Sequence, residues 1–278
     1  MIVQHNMAAL NTNRQLGITN KALSKSTEKL SSGYRVNRAA DDAAGLSISE
    51  KMRGQIRGLN QASSNAEDGQ NLIQTAEGAL GEIHSVLQRM RELTVQASND
   101  TNVTADRKAI SDELVALTDE IDRIASQTQF NTMNLLDGSF SNKNLQVGAN
   151  ESQKIGIKIG TMSSAGLKIP AKSVATIVGT GAASYTDLTK LITRVNGAIE
   201  SVSTQRSALG AVQNRLDHTI DNADNMAENL QSSESKIRDV NMADEMVTYS
   251  AKSILQQAGQ SMLAQANQAT QGVLSLLR

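Results

Sequence analysis

LTKLITRVNGAIESVSTQRSALGAVQNRLDHTIDNADNMAENLQSSESKI, residues 188–237, carries an apolar residue at every seventh position. Leu188, Val195, Val202, Leu209, Leu216, Ala223, Leu230 and Ile237 follow one another without a break. Ile192, Ile199 and Ile220 fall four residues after members of this row, and Leu191, Ala198, Val212 and Met226 three after. That spacing is the mark of helices that pair along a seam. At 1.5 Å per residue the helix would run roughly 75 Å, more than the width of a small domain.

Working towards the N-terminus, Met52, Leu59, Ala66, Ile73, Leu80 and Leu87 repeat the period, with Ala76, Ile83 and Met90 beside them. A shorter helix is expected over Ile110, Leu114, Leu117, Ile121 and Ile124, with Thr104 as its N-cap and Asp106 in its first turn. These rods can bury one another's stripes. The two chain ends are also striped. Ile2, Ala9, Leu16, Leu23 and Leu30 form one row, and Leu255, Ala258, Met262, Ala266, Ala269, Val273 and Leu276 another. Both are too sparsely apolar to hold as isolated helices. They call for a partner: each other, other subunits, or both; the alternative is a self-contained helical bundle of all five segments.

Between 131 and 184 the helical period fails. Leu145 and Val147, then Ile155, Ile157 and Ile159, alternate as in half-buried strands, with Asn150 between them. A hairpin is expected, with a further strand over Val174–Val178 beyond Pro170. The predicted fold is therefore mainly α: long antiparallel rods with a small β-hairpin region.

The composition suits such a fold. There is one proline among 278 residues, no tryptophan, three tyrosines and two phenylalanines. Long helices meet no breaker, and small aliphatic side chains build the core. Net charge is −1, without the basic face a nucleic-acid binder needs. No apolar run is long enough to span a membrane, and MIVQHNMAAL has no basic segment leading into an apolar one, so no cleaved signal is expected. The absence of cysteine excludes thiol chemistry and disulfides.

No residue constellation supports catalysis, a cofactor or a metal. Gly179-Thr-Gly181-Ala-Ala-Ser184 imitates a dinucleotide-binding turn, but its third glycine is Ser184 and the following helix is too long for a crossover. Asp41 and Asp42 precede a helix and read as caps rather than an acid–base pair. His5, His84 and His218 are isolated. Gly33 reads as a helix C-terminus. Gly33 and Gly45 bracket a charged segment with Arg35, Arg38, Asp41 and Asp42, open to two readings: a hinge or a docking surface.

LSSGYRVNRAADDAAGLSISEKMRGQIRGLNQA (30–62), LIQTAEGAL (72–80), LQRMRELTVQA (87–97), EIDRIASQTQFN (120–131), SVSTQRSALGAVQNRLDHTI (201–220), ESKIRDVNMADEM (234–246) and SMLAQANQATQGVLSLLR (261–278) resemble, in order, the motifs of bacterial flagellins. The resemblance implies a subunit that polymerises into the flagellar filament, a short form without large outer domains. Residues 1–40 and 239–278 would be the terminal helices of an inner tube. Residues 41–140 and 186–238 would be the rods, and 141–185 the hairpin with its connections.

By the same resemblance Leu16, Leu23, Leu30, Leu255, Met262, Val273, Leu274, Leu276 and Leu277 are filament-core candidates, the last four also matching a patch read by an export chaperone and cytosolic flagellin sensors. Arg89, Leu93 and Glu113 match the positions sensed by Toll-like receptor 5, or else pack between subunits. Hook-associated and cap proteins would be further partners. Export to the extracellular filament would need no cleaved signal. A hook–filament junction protein is the structural alternative. A coiled-coil signalling module would have no reason for striped, sparsely apolar ends.

Overall fold

The computed structural model describes residues 6–179 and 185–276, with side chains as far as 269. Six helices occupy most of this length: α1 (Met7–Ser32), α2 (Ala43–Ala97), α3 (Thr104–Gln127), α4 (Ala171–Gly179), α5 (Tyr185–Arg238) and α6 (Met242–Leu276). Two antiparallel hairpins lie between α3 and α4: β1 (Gln129–Phe130) with β2 (Met133–Asn134), and β3 (Lys143–Gln146) with β4 (Lys154–Ile157). The chain forms two compact units, residues 57–227 and residues 1–56 with 228–278. α2 and α5 contribute to each.

The 57–227 unit holds the main core. The heptad row of α2 is buried from Leu59 to Leu87, and that of α5 from Leu188 to Ala223. The two helices run antiparallel. Ser63 Oγ donates to Asp224 at 2.9 Å, Gln70 bonds Asp217, and Arg206 reaches Glu77 at 3.4 Å, so partner numbers fall on one helix as they rise on the other. Ile110, Leu114 and Ile121 of α3 enter the same core. Two threonines stand within it at no cost in unpaired groups. Thr94 donates to Met90 O at 2.6 Å and Thr118 to Leu114 O at 2.8 Å.

The β3–β4 hairpin forms as the alternation predicts, with Leu145 opposite Ile155. Ile155, Ile157 and Ile159 point into the core. Asn65 Nδ2 donates to Gln146 O at 3.1 Å, fixing the hairpin to α2. Gly58 and Gly69 give it room: a Cβ on Gly58 would stand 2.8 Å from Ala149 Cβ, and one on Gly69 would meet the end of Leu145. Gln205 clamps the other side, donating to Lys158 O at 3.0 Å and accepting from Gly160 N at 3.2 Å. Asp122 of α3 accepts from both the N–H and hydroxyl of buried Ser164, at 2.8 and 2.7 Å.

Three local features differ from the expectations. Val174–Val178 is helix, not strand. Pro170 precedes α4 and accepts from Ser173 N and Val174 N, a fixed φ that suits a helix start. Val174 and Val178 stand one turn apart, both buried, and α4 packs on α3. With helix before it, Gly179 does not follow a strand; residues 180–184 lie outside the described residues. At α3, Thr104 is the first helical residue and Val103 the cap. Asp106 reaches back to accept Val103 N at 3.2 Å, so the acid satisfies the free amide. The β1–β2 hairpin was not foreseen, because its turn uses Asn131 and Thr132, both at positive φ, in place of the Asn-Gly pair that signals such turns.

Leu80 is fully buried, so Leu80→Ala is expected to destabilise this unit by about 2–5 kcal/mol. Gly78, with nothing near its missing Cβ, gives the opposite sign: Gly78→Ala stabilises by about 0.5–1 kcal/mol through helix propensity. Gly58→Ala loses that gain against Ala149. Denaturant unfolding followed by circular dichroism ranks the three.

Candidate assembly surface

The other unit joins the two ends of the chain. α1 starts under Asn6, whose Oδ1 accepts from Ala9 N at 3.1 Å, and ends at Gly33 with φ 74°. This is the left-handed C-cap expected of that glycine. α1 lies antiparallel to α6. Asn6 Nδ2 donates to Ala266 O at 2.9 Å, Gln256 Nε2 donates to Asn20 Oδ1 at 2.9 Å, and Lys29 pairs with Glu245 at 3.5 Å. Leu16 lies over Gly259, where an added Cβ would stand 3.3 Å from it.

The faces used in this pairing are specific. On α1, Ala9, Thr12, Leu16, Thr19, Leu23, Ser26 and Leu30 turn towards cover, alternately three and four residues apart. The corresponding α6 row is Glu245, Tyr249, Ser253, Gln256, Gly259, Leu263 and Ala266. It is mixed, with Glu245, Ser253 and Gln256 polar, Gly259 and Ala266 small, and only Tyr249 and Leu263 large and apolar in body. Most of the large apolar residues of α6 face away. At 100° per residue, Val247, Ile254, Leu255 and Met262 fall in an arc of about 100° opposite the paired face. Met7, Leu10 and Ile18 form a similar outward group on α1. All seven side chains are 56–72% exposed. Thus Leu16, Leu23 and Leu30 are half-buried within the chain, while Leu255 and Met262 are uncovered. Val273, Leu274, Leu276 and Leu277 lie outside the described side chains.

Several hydroxyls of these helices are satisfied within their own helix. The hydroxyls of Thr12, Thr19, Ser24 and Thr27 on α1, and of Thr248 and Ser261 on α6, each donate to the carbonyl four residues earlier.

The segment between α1 and α2 is tied down rather than loose. Tyr34 forms a β-bridge with Asp239. Arg35 N donates to Arg238 O at 2.7 Å, Val240 N to Gly33 O at 3.0 Å, and the Arg35 guanidinium to Ile237 O. Arg238 lies over the Tyr34 ring at 4.8 Å and donates to Glu50 at 2.7 Å. Arg238, with Arg53 as a lesser influence, holds the Glu50 carboxyl below its ordinary range. Asp42 caps α2, accepting from Gly45 N at 2.8 Å. Asp41 serves the linker instead, taking Arg38 N at 3.1 Å, Asn37 N at 3.3 Å and Lys25 Nζ at 2.7 Å. Sequence reasoning missed Tyr34, Arg238 and Glu50, because their partners lie some two hundred positions away.

On α2 and α3, Arg89 donates through Nε and Nη2 to one oxygen of Glu113, at 3.1 and 3.0 Å, and through Nη1 to Glu92 at 3.2 Å. Arg89 and Glu113 are exposed. Leu93 is 2% exposed and belongs to the core beneath them, so it does not present a side chain to solvent. Among the described residues no cluster of three His, Asp or Glu side chains could hold a metal, and no helix is long and apolar enough to cross a membrane. His84 bonds Gln88 at 2.9 Å and His218 is exposed; His5 lies outside the described residues.

Long helical rods with paired ends that leave apolar stripes uncovered define a structural protein of the self-associating helical class. Residues 3–141 match the bacterial flagellin N-terminal helical region, and residues 192–277 its C-terminal helical region. A flagellin of Halalkalibacterium halodurans is 52% identical over 279 residues, and one of Bacillus subtilis 50% identical over 305, with both chains covered in full each time. A structure described as a flagellar hook-associated protein from Vibrio parahaemolyticus covers 72% of this chain and all of its own at TM-score 0.62 and 12% identity, a likeness of fold alone. The chain belongs to the bacterial flagellin family, and its function is that of a structural subunit of the flagellar filament.

The Asp41 contacts carry a pH signature. Lys25 first, then the N–H groups of Arg38 and Asn37, lower its pKa from 3.8 to about 2. A depressed carboxylate contributes stability above its unfolded pKa and loses it as pH falls through the folded one. The Asn37 and Arg38 amide signals in NMR are thus expected to titrate with a midpoint near 2, and Asp41→Asn should abolish that step.

Proposed function

We propose that subunits polymerise through the uncovered stripes of α1 and α6, the terminal pair forming the filament's inner tube and the rods the layer around it. The observation that carries this is the outward arc of Val247, Ile254, Leu255 and Met262 beside the outward group on α1. Each such side chain gains roughly 1.5–3 kcal/mol when fully buried. Contacts of this kind that repeat head to tail without closing produce an open helix. The division of labour follows residues 1–40 and 239–278 for the inner tube, 41–140 and 186–238 for the rods, and 141–185 for the hairpin, α4 and connections. The protein acts as a building element, not a catalyst, outside the cell. It leaves by the flagellar export route without a cleaved signal, and meets hook-associated proteins, the cap and an export chaperone that reads Val273, Leu274, Leu276 and Leu277. The same C-terminal residues would serve cytosolic host sensors.

In the full chain, Ile254→Ser combined with Leu255→Ser is expected to raise the critical monomer concentration for polymerisation more than about tenfold. Sedimentation and negative-stain microscopy read this out, with helical content unchanged. Unaltered filament yield from the double variant would rule the stripe out as the assembly surface.

The exposed Arg89–Glu113 pair supports a second role for the free subunit, as a ligand of Toll-like receptor 5. Arg89→Ala should weaken receptor activation by the monomer while leaving its melting temperature nearly unchanged, since exposed ion pairs add little stability. An equal response from wild type and variant argues for a purely structural pair.

A further inference from the structure

Resting on that reading of the stripes, we infer that Met7, Met242, Met246 and Met262 are oxidation-sensitive modification sites that gate assembly, with hydroperoxides as the reacting class. These four methionines stand on the terminal helix pair and are 47–67% exposed. Met262 stands on one stripe with Leu255, and Met7 in the outward group with Leu10 and Ile18. Met242 and Met246 face solvent together in the first turn and a half of α6. By contrast, Met90 and Met162 are buried in the 57–227 core, at 0% and 6% exposure. Solvent access therefore separates buried from reactive sulfurs; of the reactive ones Met7 and Met262 lie on the surface that polymerises, Met242 and Met246 lie beside it at the start of α6, and Met133 and Met226 lie off the terminal pair.

The chemistry is an oxygen transfer. The thioether sulfur attacks the peroxide, the O–O bond breaks, an S–O bond forms, and the peroxide leaves as water or an alcohol. Sulfur is oxidised by two electrons and the peroxide reduced by two. The product replaces a soft apolar side chain with a strongly polar, chiral sulfoxide. A subunit contact that buries it without a donor meets the cost of an unpaired polar group. Enzymatic reduction of the sulfoxide reverses the change. Once neighbouring subunits cover the stripes, the sulfurs on them are shielded, so the free subunit is the sensitive form.

The test treats full-length monomer with hydrogen peroxide and maps sulfoxides by peptide mass spectrometry. Oxidation is expected at Met7, Met242, Met246 and Met262, with Met90 and Met162 spared. The critical concentration should rise at least about fivefold and return after treatment with methionine sulfoxide reductases. A variant carrying Met7→Leu, Met242→Leu, Met246→Leu and Met262→Leu, similar in volume and inert to peroxide, should assemble equally before and after treatment. It keeps the exposed Met133 and Met226, which controls for oxidation elsewhere. Oxidised wild type that polymerises like untreated protein overturns the inference, as does a leucine variant that remains peroxide-sensitive. If instead Ile254→Ser with Leu255→Ser assembles normally, the reading of the stripes fails first, and the two failures are told apart.

Discussion

The burial of one seven-residue apolar period on α2 and α5 is the constraint on which the rest of the structure depends. Leu59 to Leu87 and Leu188 to Ala223 are covered where the two helices run side by side, and the Ser63–Asp224 and Arg206–Glu77 bonds set their directions as opposite. That pairing sets where α3 must lie to close the core and where the β3–β4 hairpin can dock. Glycines at 58 and 69 then admit the hairpin against α2. Few bulky groups are needed, since aliphatic knobs and alanines fill the seam.

The ends of the chain solve a different problem. α1 and α6 pair through Leu16 on Gly259 and through polar bonds such as Asn20 to Gln256. This pairing orders both helices without using their apolar arcs. A subunit so arranged keeps hydrophobic area in reserve for its neighbours, and the backbone bridge between Tyr34 and Asp239 keeps the pair in register beside its own helix junctions.

The long helices were legible because a seven-residue repeat has one structural reading. Short segments were less so. Val174–Val178 is apolar but for Thr176 and fits strand or helix equally; Pro170 and the four-residue interval between two buried valines decided for helix. On the terminal helices the stripes were visible but not which face each would use. Leu16, Leu23 and Leu30 turned inward and Leu255 and Met262 outward, with Leu16 seated where Gly259 leaves room on the inward face of α6. Leu93 matched a family motif in type, but a helical position next to Arg89 by one turn still lies on the core side. The Arg238–Glu50–Tyr34 cluster had no local signal, since it exists only once distant segments meet.

The back-bonded hydroxyls of α1 and α6 bear on what such helices can become. By composition both look hydrophilic, rich in serine and threonine. Yet Thr12, Thr19, Ser24, Thr27, Thr248 and Ser261 have already committed their protons to the backbone. Withdrawing them from water strands no donor, so they behave as small spacers presenting mostly methyl and methylene groups. These six positions can thus pass from water into a subunit contact without rearranging a single internal bond.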